Sequence, residues 1–242
     1  EQAAAGTALP SLVVCPTTLV GHWRAEAARY VGHEALPTLA YAGSPALRAA
    51  LRPKLLGRHL VVTSYETLRA DVEHLAALQF DYLVLDEGHV IKNGRSKLSA
   101  AAKRLFSRHR LLLSGTPLQN HAVELWSLFD FLMPGFLGSE SEFRSRYAKP
   151  IHAAEGAGAD ETEFFEGEAA LKRLHRQVLP FCLRRTKDKV LSELPPKIIS
   201  DRVVELHPLQ AKLYAAFGES PARRAAERAV LEVAEAGESA AD

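Results

Sequence analysis

The chain has 242 residues, 47% of them hydrophobic, which is ample for one large globular domain or a domain with a smaller appendage. Thirty basic against 29 acidic residues leave a formal charge of +1, so any nucleic-acid contact must come from local clusters and not from the overall field. Cys15 and Cys182 lie far apart in apolar stretches, which excludes a disulfide framework or metal-ligand spacing and fits a reducing intracellular compartment; no apolar run approaches the roughly 18 residues that span a bilayer, and the first residues do not read as a signal.

From residue 9 to about 115, short β-branched or Leu-rich runs alternate with amphipathic stretches, the pattern of an open parallel α/β sheet with helices on both faces. Strands are predicted at 10–15, 36–41, 59–64, 80–85 and 109–114, and helices at 17–31, 45–56, 66–78 and 96–107, with Thr17 and Thr18 as candidate caps after Pro16. Beyond 121 the character changes. Residues 122–133 form a strongly apolar helical run stopped by Pro134 and Gly135, and 139–147 reads as a further helix. The Ala/Gly/Glu-rich stretch 152–168 reads as a flexible surface loop, with Phe164 and Phe165 as possible docking points. Helix is expected again over 169–192, divided by Pro180; 198–206 alternates like an exposed strand, and 208–217 reads as a helix.

The sharpest local signal is the apolar run Tyr82-Leu83-Val84-Leu85 followed by Asp86-Glu87-Gly88-His89. It delivers two adjacent carboxylates to the carboxyl end of a strand, where open α/β sheets bind ligands. Nucleotide hydrolysis needs such a pair, one to hold Mg²⁺ and one to orient and deprotonate water. A solvated strand end or a helix cap would read the same way. A second strand, Leu111-Leu112-Leu113, ends in Ser114-Gly115-Thr116-Pro117-Leu118-Gln119-Asn120, whose small hydroxyl residues let a loop approach a phosphate or a carboxylate; an ordinary strand-to-helix turn is the alternative.

These residues carry a resemblance. DEGHVIKN at 86–93 and LLLSGTPLQN at 111–120 resemble motifs II and III of superfamily 2 ATPases of the Swi/Snf type, with LVVCPTTLVGHW at 12–23 and VVTSYETL at 61–68 similar to motifs Ia and Ib. ELWSLFDFLMPGFLG at 124–138 and LRRTKDKVLSELPPK at 183–197 are similar to the helical protrusion of such remodellers. FRSRYAKPI at 143–151 and LHRQVLPFCLRR at 174–185 look like the branch that removes TATA-binding protein from DNA.

The resemblance implies a RecA-like first lobe over 1–121, a helical protrusion over 122–194, and a return strand and helix over 195–242. It implies a DNA-dependent ATP hydrolase, helicase-like in ancestry, that uses ATP and Mg²⁺ and moves along double-stranded DNA in the nucleus. Asp86 is implied to bind Mg²⁺ through water, Glu87 to be the general base, and His89 to link the nucleotide site to motif III. Ser114, Gly115, Thr116 and Gln119 are implied to couple nucleotide state to the DNA track. Pro16, Thr17, Thr63, Ser64 and Tyr65 are implied to contact one strand's phosphates, without reading sequence. TATA-binding protein itself is implied to be gripped by regions outside this chain.

One part of the pattern is missing. No Gly-x-x-x-x-Gly-Lys-Ser/Thr loop occurs, and Gly94-Arg95-Ser96-Lys97 lacks both its spacing and a preceding strand. In the family that loop lies upstream of motif Ia, and a second lobe supplies arginine fingers. The chain, which begins at Glu1 and not at methionine, is therefore expected to be part of a motor and inactive alone; the rival reading is a non-catalytic DNA- or protein-binding relic. Arg184, Arg185, Lys187 and Lys189 read either as phosphate contacts or as a solvated helix face. Lys103, Arg104, Arg108, His109 and Arg110 read as a solvated surface, Trp23 and Trp126 as core, and His22, His74, His175 and His207 as structural or surface residues.

Overall fold

The computed structural model describes residues 9–57, 59–115, 122–156, 160–186, 193, 200–218, 220–221 and 223. The chain divides into two compact units, Glu1–Leu183 and Arg184–Asp242, each described by itself.

In the first unit, five parallel strands form one sheet in the order β2-β3-β1-β4-β5. They are β1 Ser11–Cys15, β2 Thr38–Tyr41, β3 Leu60–Ser64, β4 Gln79–Leu85 and β5 Phe106–Leu112. Near-continuous apolar runs in β1 and β3 are what strands buried on both faces require: Leu12, Val13, Val14, Val61 and Val62 are all buried. The helix α1 (Val20–Tyr30) covers one face over Val13, Cys15, Leu60 and Val62. The other face packs Leu12, Val14, Val61, Leu83 and Leu85 against α3 (Tyr65–Ala70), α5 (Lys97–Lys103) and Phe131.

All five predicted strands form, with shifts that have identifiable causes. The last begins at Phe106, three residues early, because Phe106 pairs with Gln79 and the preceding helix stops at Lys103. The helix expected over 66–78 is broken at Asp71 (φ −114°, ψ 21°), which separates α3 from α4 (Val72–Ala76). The carboxylate at that break lies inside the fold. It accepts a two-pronged hydrogen bond from Arg48 (Nε to Oδ2 2.9 Å, Nη2 to Oδ1 3.2 Å) and a short one from the Tyr41 hydroxyl, with Arg52 Nη2 3.8 Å away. Arg48 comes from α2 (Pro45–Leu51), capped by Ser44.

After the sheet, α6 (Ala122–Leu132) turns Phe131 toward the sheet core and Leu125 and Phe129 toward a second core with Leu137, Phe143, Leu174 and Val178. The helix expected over 139–147 runs further. It starts as α7 (Glu140–Phe143) behind a Ser139/Glu142 capping box, widens into a π turn at Arg144–Ala148, and continues as α8 (Lys149–Ala154). Pro150 sits in the first turn of α8, where a missing N–H costs little.

Most of the loop expected over 152–168 is helical, so that expectation is corrected. α9 (Glu161–Val178) starts behind an Asp160/Glu163 capping box, and α8 reaches Ala154; residues 157–159 lie outside the described residues. The small residues there serve close packing. A Cβ on Gly167 would lie 2.3 Å from the Ala154 Cβ and 2.7 Å from the Pro150 carbonyl oxygen. Phe164 and Phe165 are exposed. The helical region expected over 169–192 is interrupted at Pro180 as expected: α9 ends at Val178 and a 3₁₀ turn follows at Leu179–Phe181, while residues 187–192 lie outside the described residues.

In the second unit, residues 200–206 carry no strand, with Val203 98% exposed, and a helix spans Pro208–Gly218. An edge strand needs a neighbour for its ladder, and none is paired with this segment among the described residues.

Candidate functional site

The order β3-β1-β4-β5 brings the ends of four adjacent strands to one edge of the sheet. There the chain continues into Ser64-Tyr65, Pro16-Thr17, Asp86-Glu87 and Leu113-Ser114-Gly115 respectively. β3 to β4 crosses over β1, so this edge holds a point where connections run to opposite sides, the usual place for a ligand crevice.

Asp86 is held from every side. Its N–H donates to the Val14 carbonyl at 2.8 Å, fixing the end of β4 to β1. Oδ1 accepts the N–H of Glu87 at 3.0 Å and Oδ2 accepts the indole Nε1–H of Trp23 at 2.8 Å. Its carbonyl accepts the Tyr65 hydroxyl at 2.7 Å. Glu87 follows in the left-handed region (φ 52°, ψ 45°), the one non-glycine residue with positive φ among those described. A side chain there is strained by about 1–2 kcal/mol, and such strain collects at functional sites. Its carboxylate lies 3.2 Å from His89 Nδ1. That contact lacks hydrogen-bond alignment: Nδ1 is buried and has no hydrogen-bond partner among the described residues.

The acidic turn meets β5 through backbone. Leu113 N–H donates to the Leu85 carbonyl and Gly88 N–H to the Leu113 carbonyl, both at 2.8 Å, so the ladder runs on past the strands into the turn. Gly88 must be glycine: a Cβ there would fall 2.3 Å from Leu112 Cγ. Gly88→Ala is expected to cost about 1–3 kcal/mol by prising β4 from β5, read as a lowered midpoint in urea unfolding. This backbone link joins the described parts of the two motifs; His89 lies beside Glu87, and residues 116–121, through which its implied link to motif III would run, lie outside the described residues. Ser114 and Gly115 are exposed, and Thr116 and Gln119 lie outside the described residues.

The candidate DNA-contact residues divide. Thr63 is fully buried and its hydroxyl donates to the Tyr41 carbonyl at 2.7 Å. Ser64 is buried as the cap of α3, accepting Thr67 N–H at 3.2 Å. Tyr65 is 4% exposed and its hydroxyl is engaged at Asp86. The hydroxyls of these three are engaged inside the fold, which leaves backbone N–H groups and the start of α3 as their means of meeting a phosphate. Pro16 is half-buried and Thr17 exposed. Thr17 caps no helix; its hydroxyl donates to Glu66 Oε2 at 2.7 Å and, with the charge of Arg69 and nearby bonds, holds that carboxyl below its usual range.

Burial, then the negative charge of Asp86, pushes the Cys15 thiol up to about 11; it stays protonated and is no nucleophile. The same two causes, in that order, raise the Tyr65 hydroxyl, which keeps its proton on the Asp86 carbonyl. Both cysteines are free. Lys103, Arg104 and Arg108 are engaged with Asp130 (2.6 Å), Glu73 (2.7 Å) and Asp81 (3.7 Å); Arg110 donates to the Phe131 and Leu105 carbonyls, and His109 stacks on Tyr82. This stretch is anchored to its own fold. Arg184 and Arg185 are exposed in the second unit, while Lys187 and Lys189 lie outside the described residues.

Sequence reasoning missed Trp23 as a site residue. It packs beside the α1 core as expected, yet its N–H serves the acidic pair. A half-buried indole still needs an acceptor for its N–H, which is the signal that pointed beyond simple packing. Trp126 instead donates to the Gly138 carbonyl at 3.0 Å, away from this edge.

An open parallel sheet that gathers an Asp-Glu pair and hydroxyl-bearing loops at its carboxyl edge is a RecA-like domain of the nucleotide-hydrolysing class. The chain belongs to the SNF2-related domain family, whose model matches residues 1–240. It is 50% identical over 215 residues to the Arabidopsis thaliana TATA-binding protein-associated factor BTAF1, covering 89% of this chain and 10% of that relative. It is 52% identical over 215 residues to the human TATA-binding protein-associated factor 172, covering 89% of this chain and 12% of that one. Among solved structures it resembles the Sulfolobus solfataricus SWI2/SNF2 ATPase core in complex with dsDNA, with a TM-score of 0.66 and 34% identity, covering 89% of this chain and 42% of that one. The chain thus spans about a tenth of the length of these curated relatives. Among the described residues, no helix is long and apolar enough to cross a membrane.

Proposed function

We propose that this chain supplies the acidic half of the nucleotide site and one DNA-contacting corner of a nuclear ATP-dependent double-stranded-DNA translocase that acts on TATA-binding protein bound to DNA. The observation that carries the reading is the pinned Asp86 beside the strained Glu87 at the edge of a parallel sheet. Membership of the SNF2-related family and likeness to TATA-binding-protein-associated factors support the rest.

The donor set fits Mg²⁺. Among the described residues no cluster of three or more His, Cys, Asp or Glu forms a protein cage, and Mg²⁺ takes one or two carboxylates with waters and phosphates. Asp86, with one N–H donor on each oxygen, keeps further lone pairs for such waters. When bound, the metal with ATP supplies the reactive phosphoryl group and neutralises its charge. Glu87 accepts the proton of the attacking water. The indole and the Glu87 N–H keep the Asp86 carboxylate from rotating, Tyr65 holds its carbonyl, and Gly88 ties the turn to the strand that leads into Ser114 and Thr116, which we propose report nucleotide state together with Gln119.

For DNA, the corner at Pro16-Thr17 is the proposed phosphate contact of this chain. The phosphate-cradling loop and the arginine fingers are proposed to come from residues outside these 242. Residues 122–194 are proposed to be the protrusion, and 195–242 the return toward a second lobe.

The test measures ATP hydrolysis with and without duplex DNA in the full-length protein that carries this chain, followed by release of TATA-binding protein from a labelled TATA duplex. Stimulation by DNA and ATP-dependent release are expected. Hydrolysis that ignores duplex DNA, or release that proceeds without ATP, would overturn the reading. The 242-residue chain alone is expected to show no DNA-stimulated turnover.

A further inference from the structure

Two helix starts converge on Asp86. The first turn of α1 begins just after the Pro16-Thr17 corner and carries Trp23, whose indole N–H holds Asp86 Oδ2 at 2.8 Å. The first residue of α3 is Tyr65, whose hydroxyl holds the Asp86 carbonyl at 2.7 Å. The second residue of α3 is Glu66, whose Oε2 accepts the Thr17 hydroxyl at 2.7 Å, so the two helix starts are also tied to each other. The corner that faces DNA in the proposed function is therefore one hydrogen bond from the Asp86 carboxylate through Trp23, and two from the Asp86 backbone carbonyl through Glu66 and Tyr65.

We infer that Trp23 is a positioning residue that carries DNA contact to Asp86. This rests on the proposed DNA-facing role of Pro16-Thr17 and names the residue through which that contact reaches the nucleotide site. The trigger is electrostatic. A phosphate arriving at Thr17 meets the Glu66 carboxylate already on that hydroxyl, and two anions cannot share it at close range. The phosphate displaces Glu66, which releases the tie between α1 and α3. The start of α1 then shifts with the bound phosphate, and Trp23, one turn along, shifts with it. Asp86 cannot follow freely: Val14, Glu87 and Tyr65 hold its backbone and its other oxygen. A displacement of α1 thus lengthens or shortens the indole-to-carboxylate bond and resets which lone pairs Asp86 turns to the cleft. By linkage, whatever binds Asp86 feels the DNA, and the DNA feels it by the same factor.

The chain has only two tryptophans, Trp23 and Trp126, so their indole N–H resonances report the bond directly without turnover. The ¹⁵N-labelled 242-residue chain is titrated with a short mixed-sequence duplex while fluorescence anisotropy of the labelled duplex follows binding. The resonances are assigned with Trp126→Phe. Binding is expected to shift the Trp23 indole proton and speed its exchange with water, leaving Trp126 unmoved. In Asp86→Ala the Trp23 proton is expected to move upfield at the outset and to lose its response to duplex; should that variant fail to melt cooperatively, Asp86→Asn, a weaker acceptor, is expected to give the same upfield direction with smaller amplitude. Glu66→Gln is expected to bind duplex several-fold more tightly. Duplex binding that leaves the Trp23 resonance still overturns the relay while leaving the DNA reading intact. Absence of duplex binding overturns both.

Discussion

Asp71→Ala is expected to lower the stability of the chain by about 3–5 kcal/mol, the size of loss that follows when one partner of a buried ion pair is removed. Asp71 is 6% exposed and is the meeting point of Arg48, the Tyr41 hydroxyl and Arg52. Without it, the Arg48 guanidinium loses its carboxylate and keeps the neutral Gly43 carbonyl, at 2.6 Å, while a fully buried phenol loses its acceptor. Urea unfolding followed by circular dichroism reads the change as a lowered midpoint. If the loss comes from a stranded charge and not from a cavity, Arg48→Met added to Asp71→Ala should recover part of it. A double variant no more stable than Asp71→Ala alone would show that pairing is not the cause.

The same network sets a pH dependence. The hydrogen bond from Arg48 holds the Asp71 carboxyl below the usual carboxylate range, aided by Tyr41 and by the charges of Arg48 and Arg52, against the opposing effect of burial. A carboxylate depressed in the folded state contributes stability that is fully present above its unfolded value and is lost as pH falls through its folded value. Acid should therefore destabilise the parent chain more steeply than Asp71→Ala in that window. Glu66, Glu73 and Glu142 are also held low, so both proteins weaken in acid, and the difference between their curves belongs to Asp71.

This network also shows where the sequence was legible and where it was not. Strands β1 and β3 announce themselves because burial on both faces demands continuous apolar runs, β4 by the shorter apolar stretch Tyr82–Leu85 that ends it, and the carboxyl-edge motifs follow from where those runs stop. Asp71 looked like one polar residue in an amphipathic helix, since its partners lie 23 and 30 residues away and nothing local marks them. The stretch 152–168 failed for the opposite reason. Its Ala and Gly content resembles a flexible segment, but small side chains are also what a close helix contact needs, and Gly167 against Pro150 and Ala154 is such a contact. Thr63, Ser64 and Tyr65 were legible as a motif and not as roles: hydroxyls that suit a phosphate suit a carbonyl or a helix cap equally well, and here the fold takes them.

Glu87 is where stability and function are expected to part. Glu87→Gln keeps the shape of the side chain and removes its basicity, so DNA-stimulated ATP hydrolysis by the full-length protein should fall by about 10²–10⁴-fold, while duplex affinity and the unfolding midpoint of the chain stay close to the parent. Glu87→Gly should lose turnover to the same degree and yet raise stability. At φ 52° a side chain costs about 1–2 kcal/mol, and glycine removes that strain, less about 0.5–1 kcal/mol for its larger unfolded entropy. A net gain of about 0–1.5 kcal/mol is expected. The strain has a local origin in the Asp86 Oδ1 bond to the Glu87 N–H, which turns the chain at the residue where a strand would otherwise send the next side chain to the opposite face. A fold selected only for stability would place glycine there. If Glu87→Gly proves less stable than the parent, the left-handed turn is no burden and the argument from strain fails; if Glu87→Gln retains turnover, the proton goes elsewhere and the strain must answer to another purpose.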